Sequence, residues 1–334
     1  MIGRGALFAA LRDRMLLNTP VGRQATYNSR TGVAEWINNG TYLVQGCTKT
    51  AVTLHISHAD FASASFSEVE NFQNHCLEHL QELACKYGDT RRRSEAWATI
   101  AVYYLGFFSA SVLLHLVGQP IIFLTRQQLT ILQQLAGSAT RPGQGAFEFR
   151  VGAPVSAVYS ELLLTQTQKI HEATWKKTLA LIDGLRNDPA VIMQADEADF
   201  YDSLCTRMFY SYGIGYDWPS SVRNQINYRP GFAYRLYDPE FTINKFLKAW
   251  RLETTDDIYE TFRGVYLRCS GGRDLFANRA EMMINVSVML YLLGRELYKD
   301  LLGRRLTDWR WEQRRNVYKR AMGFPADEFE AWRS

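Results

Sequence analysis

Residues 101–120 read AVYYLGFFSASVLLHLVGQP, the centre of a run from Ala96 to Thr125 that holds no Asp, Glu, Lys or Arg. About 20 apolar residues suffice to cross a bilayer, so this run decides between a membrane span and the buried helix of a globular domain. Its polar inclusions, Tyr103, Tyr104, Ser109, Ser111, His115 and Gln119, favour the buried helix. Gly118 and Pro120 predict that a helix starting near Ser94 stops soon after Val117. No second apolar segment of that length follows; Met282 to Gly294 is the nearest, and it carries Asn285 and Ser287. A helix apolar on all sides then reads as the spine of a large helical domain, and no membrane partner is expected.

Outward from this spine the pattern is mostly helical. Upstream, SFSEVENFQNHCLEHLQELACKYG begins with Ser67 and Glu70 in capping-box spacing, and Val69, Phe72, Cys76, Leu80 and Leu83 form an apolar stripe. Downstream, residues 125–135 and 157–186 read as helices, with GSATRPGQGAFEFRVGAP between them as a loop in which Phe147 and Phe149 make a short strand. Helices are also expected at 241–250, 255–268 and 279–300, followed by a basic terminal helix. β structure is expected only near the N-terminus, where turn signals surround AVTLHISHAD and Val52, Leu54 and Ile56 alternate as in a half-buried strand. Before it, Leu7, Leu11 and Met15 share one face of a short amphipathic helix. The expected architecture is mainly α: an N-terminal α/β region over 1–64, and a multi-helix bundle over 65–334.

With 334 residues and 47% apolar content the chain can fill a core. A net charge of +4 is too mild for the global field to attract nucleic acid, so such binding would rest on local clusters. Five scattered cysteines without a CxxC pair fit a reducing cytoplasm. The first residues lack a signal-peptide pattern.

Several chemistries lack their motifs. The chain has no GxxxxGK[ST], GxSxG, HExxH or GxGxxG, and Asp196-Glu197-Ala198-Asp199 matches a helicase signature in letters only. No cofactor is expected. His75, Cys76 and His79 have part of a metal-ligand spacing, but Cys76 belongs to the apolar stripe, and the reading taken is two partly exposed histidines beside a buried thiol, with no metal.

Two segments have binding chemistry. Near the C-terminus Arg304, Arg305, Arg310, Arg314, Arg315 and Lys319 are interleaved with Trp309, Trp311 and Tyr318. Guanidinium groups grip phosphates and indoles stack on unpaired bases, which suits RNA or single-stranded DNA; a helix that docks on another protein has the same composition. Earlier, Arg223, Asn224, Asn227, Tyr228 and Arg229 crowd a short stretch that reads as a polar loop, suited to a site or to satisfying buried helix ends.

The Ala101-to-Leu114 helix ending at Gly118, with the later Arg223-Asn224-Gln225-Ile226-Asn227-Tyr228-Arg229 run, resembles HEPN-type proteins, particularly their YaaC-like branch, over roughly 95–300. The resemblance implies a helical-bundle core, self-association, and a role in RNA cleavage, toxin–antitoxin pairs or prokaryotic antiphage systems. It departs at one point: catalytic HEPN ribonucleases carry Arg followed four to six residues later by His. None of His55, His58, His75, His79, His115 and His171 has an Arg at that distance. If the chain is a ribonuclease, the base is left to His115, with Arg223 or Arg279 brought to it by the fold; His115 also suits a hydrogen-bonded core position.

The expected function is therefore a HEPN-like, cytoplasmic component of a defence or toxin-type system that binds RNA or single-stranded DNA, with RNA cleavage left open, or a non-catalytic subunit of a larger assembly docking through its C-terminal helix. A homo- or hetero-oligomer is expected in either case.

Overall fold

A computed structural model describes residues 6–18, 32–87, 95–156, 158–167, 169–185, 215–228 and 275–305. The elements, in chain order, are α1 (Ala6–Asn18), α2 (Val33–Asn39), β1 (Tyr42–Cys47), β2 (Ala51–Ser57), α3 (His58–Tyr87), α4 (Glu95–Leu116), β3 (Ile121–Leu124), α5 (Arg126–Leu135), β4 (Gly145–Pro154), β5 (Tyr159–Gln166), α6 (Ile170–Gly184), α7 (Trp218–Tyr228) and α8 (Leu275–Arg305).

The charge-free run becomes α4, and α3, α6, α7 and α8 pack against it. Among the described residues it is the one helix long and apolar enough to span a membrane, yet 83% of its apolar window is buried by protein. Its end is set by Gly118, at φ +73°, a conformation costly for any residue with a Cβ. There the Gly118 N–H donates to His115 O and the Gln119 N–H to Leu114 O, at 3.1 and 2.8 Å, satisfying the last carbonyls. Gly106 lets α8 come close: a Cβ there would lie 2.8 Å from the Ser287 Cα.

The expectation of a mainly α bundle with β structure confined to the N-terminus is overturned. The fold is mixed α/β, around a five-stranded antiparallel sheet in the order β1-β2-β5-β4-β3. β2 has the expected alternation, and its long neighbour is β5, with Leu54 opposite Leu162. The sheet thus draws strands from both sides of residue 64. β5 lies where a helix was expected, because Leu162, Leu163 and Leu164 in a row hide the period of two. In the sheet Ser160, Leu162 and Leu164 are buried while Tyr159, Glu161 and Thr165 face out. β3 is four residues long, too short to signal itself, and the Phe147–Phe149 strand extends to ten residues.

Two other expectations change. Ser67 is not a helix cap: α3 begins at His58, and the Ser67 hydroxyl donates to Ser63 O at 3.0 Å inside the helix. The supposed loop at 222–228 is the body of α7, where Trp218, Val222 and Ile226, spaced by four, form the buried stripe. The expected helices at 241–250 and 255–268 and the terminal basic helix lie outside the described residues.

Two cores result. One lies between α1, α3, α4, α6, α7 and α8, with Tyr103, Leu113, Trp175 and Leu290 among its members. The other lies under the inner sheet face, where Val52, Leu54, Ile56, Phe147, Phe149, Leu162 and Leu164 are shut from solvent by α2, α5 and the start of α3; each such side chain stabilises the fold by about 1.5–3 kcal/mol. Polar clasps fix the covering helices. Glu68 accepts the Val33 N–H at 2.9 Å, closing the start of α2. Asp60 accepts from the Trp36 indole at 2.9 Å and the Thr41 N–H at 2.7 Å. Thr125 and Gln128 form a capping box on α5, and the Gln128 amide reaches Ala34 O on α2. Arg12 on α1 pairs with Asp300 on α8 at 3.0 Å.

Candidate functional site

The middle of α4 presents Tyr103 and Tyr104, about 100° apart around the helix, so that one is fully buried and the other half-buried. α6 brings His171 in its first turn, and α7 brings Ser220 and Arg223. The Tyr103 hydroxyl lies 3.2 Å from His171 Nδ1 and 3.1 Å from Ser220 Oγ. Arg223 Nη2 donates to the Tyr104 hydroxyl at 2.6 Å, with its guanidinium carbon 5.5 Å from the Tyr104 ring centre and 5.9 Å from that of Tyr103. Nη1 donates to Asn224 Oδ1 at 2.9 Å. Among the described residues no carboxylate pairs with Arg223, and its buried Nε has no hydrogen-bond partner. Among the described residues the cation is held by two π faces, one hydroxyl and one amide oxygen, none of which compensates its charge.

A band of rings continues from this point onto α3. His79 stacks on Tyr104 and on Phe108, with centres 5.8 and 5.7 Å apart, and His75 stacks on Phe108 at 4.8 Å. Phe72 follows at 6.0 Å from Phe108. Positions 72, 75 and 79 lie on one face of α3 and 104 and 108 on one face of α4, so two helices at ordinary packing distance zip the rings together. On the other side, His171 sits 4.2 Å from Phe107 between ring centres. Tyr228, 73% exposed, stands at the end of α7 beside the exposed Asn227. Arg229 lies outside the described residues.

Burial first, and the Arg223 guanidinium second, hold the His171 pKa below its ordinary value, so the ring is neutral at pH 7. One of its two tautomers has Nδ1–H donating to the Tyr103 oxygen and the Tyr103 proton turned to Ser220, which leaves Nε2 free to accept a proton. Nε2 makes no hydrogen bond among the described residues. A neutral base and a cation with no carboxylate partner among the described residues thus come from different helices to one half-buried place.

Of the residues singled out in the sequence, Arg223 and Asn224 belong to this place. His115 does not: it lies eleven residues beyond Tyr104 on the same helix, about 16 Å further along its axis. There its Nδ1 faces Ser111 O at 2.8 Å, and burial pushes its pKa down to about 4. Arg279, Arg304 and Arg305 fall within α8, but their side chains are outside the described residues, as are Arg310, Trp311, Arg314, Arg315 and Lys319 altogether. The His75, Cys76 and His79 spacing does not converge. Cys76 points inward to Ser109, 3.4 Å away, with its thiol pushed up to about 12 by burial, while His75 pairs with Glu78 at 3.0 Å. His171 carried no signal in the sequence; only the packing of α6 on α4 gives it a partner.

Comparison with known proteins gives no match to any family model, curated protein or solved structure.

Proposed function

We propose that this protein binds single-stranded nucleic acid, RNA in particular, along the band from Phe72 to Tyr228, with Arg223 as its phosphate contact. The observation that carries this reading is the Arg223 guanidinium, seated on Tyr103 and Tyr104 with no carboxylate among the described residues to neutralise it. Unpaired bases stack on aromatic and imidazole faces, and a guanidinium grips the phosphates between them. The setting is the one the HEPN resemblance implies, a cytoplasmic defence or toxin-type system, with the basic residues of the C-terminal segment extending the contact.

The same place supports RNA cleavage without a metal. His171 Nε2 takes the 2′-hydroxyl proton, and the 2′-oxygen bonds to the adjacent phosphorus. The bond from phosphorus to the 5′-oxygen breaks, leaving a 2′,3′-cyclic phosphate and a 5′-hydroxyl protonated from water. Arg223 stabilises the extra negative charge on the phosphoryl oxygens as the new bond forms.

Fluorescence anisotropy with a labelled oligouridine, repeated over a range of salt, tests the binding. Arg223→Ala is expected to weaken it at least tenfold and to flatten the salt slope by about 0.7, the value for one phosphate contact on a single strand. Unchanged affinity and slope would remove the reading. Cleavage is followed separately on the same RNA and on one with a single 2′-deoxy position, where wild-type protein should cut the first only and His171→Ala neither.

A further inference from the structure

Trp97, in the first turn of α4, stands apart from the other indoles of the fold. It is 68% exposed, whereas Trp36, Trp175 and Trp218 are at most 4% exposed. Among the described residues it makes no ring contact and no hydrogen bond. A single exposed apolar side chain is ordinary on a protein surface; what distinguishes this one is where the helix puts it. Trp97 precedes Tyr104 by seven residues and Phe108 by eleven, so at 3.6 residues per turn it lies within about 20° of each around α4.

The partners on α3 give that line a direction. Phe72 stacks on Phe108, and His79, about two turns further along α3, stacks on Tyr104. The two helices therefore run antiparallel, and the ring band advances towards the start of α4. Trp97 is the next aromatic residue on that face, about 10 Å beyond Tyr104 along the axis. Exposure rises in the same direction, from the partly buried Phe108 and Tyr104 to Trp97. Neighbouring positions in a stacked strand are about 3.4 Å apart, so a strand seated on Tyr104 reaches Trp97 after about three nucleotides. A Trp near the end of an apolar helix also marks membrane interfaces, but the apolar window of α4 is 83% buried inside the protein, and Trp97 does not border a lipid-facing surface.

We propose, on the reading of the ring band as a single-strand site, that Trp97 is its far stacking platform: the strand that contacts Arg223 continues past Tyr104 along α4, and the Trp97 indole stacks on one of its bases.

The test compares Trp97→Ala with the wild-type full chain, using a labelled decauridine and a labelled ten-unit abasic strand, both read by anisotropy over a range of salt. Stacking involves no counterion release, so Trp97→Ala is expected to weaken decauridine binding about five- to tenfold with the salt slope unchanged, in contrast to Arg223→Ala, which flattens the slope. The abasic strand, which keeps the phosphates and has no bases, should bind wild type and Trp97→Ala equally. Trp97→Phe, which keeps a smaller ring, should recover most of the loss. Decauridine binding that depends on Arg223 but is the same in Trp97→Ala would overturn this proposal and leave the Arg223 reading standing. An equal loss for the abasic strand would also overturn it, and absence of wild-type binding would overturn both.

Discussion

Gly106 is the tightest point of the α4–α8 crossing, and replacing it by alanine measures how closely the helical core is fitted. A Cβ on residue 106 would stand 2.2 Å from Ser287 Oγ, 2.5 Å from its Cβ and 2.8 Å from its Cα. The first two contacts belong to a side chain, but the third is backbone, so α8 must shift by roughly half an ångström or more to reach ordinary carbon separations. Overpacking of this kind costs about 1–3 kcal/mol, while exchanging a helical glycine for alanine returns about 1 kcal/mol in propensity. Because the 2.8 Å contact is with backbone, the cost belongs at the upper end, about 2–3 kcal/mol, and a net loss of about 1–2 kcal/mol is expected. Gly184, at the end of α6, is the internal control: its Cβ would meet nothing within 4 Å, so Gly184→Ala keeps the propensity gain without the clash. In urea unfolding followed by circular dichroism, Gly106→Ala should lower the midpoint and Gly184→Ala should hold or raise it. Adding Ser287→Gly to Gly106→Ala removes two of the three contacts, and a double-mutant cycle should then show a positive coupling. A Gly106→Ala variant as stable as wild type would refute the close α4–α8 packing.

Further perturbations address the charged and titratable groups. The His115 pKa falls from its ordinary 6.5 to about 4 in the fold, so the unfolded chain binds the extra proton. The associated stability, about 3 kcal/mol, is complete above pH 6.5 and is lost as the pH falls towards 4; His115→Phe should flatten that part of the pH–stability curve. The His171 pKa is also held down, by burial and by Arg223, which places the acid limb of any RNA cleavage below pH 6.5 in wild type and should move it up in Arg223→Ala. With its thiol pushed up to about 12, Cys76 should resist iodoacetamide at pH 8 in the native protein and react only on unfolding, as read by site-resolved mass spectrometry. Truncation after Gly303 removes Arg304, Arg305 and the more distal basic residues, and should weaken RNA binding and reduce its salt slope; loss of a protein complex with RNA affinity intact would favour the docking role for that segment.

The charge-free run decided its own helix and where it stops, since uninterrupted apolarity and a Gly118-Gln119-Pro120 ending are local properties of the chain. Val52, Leu54 and Ile56 likewise announced β2, because alternation over a few residues needs no partner to be recognised. What neighbouring residues could not convey was pairing. β5 is a strand because Leu162 and Leu164 find β2 on one side and Phe149 and Val151 lie across from them on the other. Without those partners, three consecutive leucines suit a helix equally well. The α7 stripe was legible at Trp218, Val222 and Ile226, but Arg223 and Asn224 within it, and Asn227 and Tyr228 after it, drew the reading towards a loop.

The site divides the same way. The sequence alone marked Arg223, a cation in a polar stretch, and ruled out a local Arg–His motif by spacing. It assigned the base to His115, which the fold buries about 16 Å further along α4. His171 reaches Tyr103 across 68 residues of sequence, and Tyr103 reaches Ser220 across 117. Such contacts exist only once α6 and α7 dock on α4, because the hydrophobic burial that drives the docking is indifferent to which polar side chains it brings together.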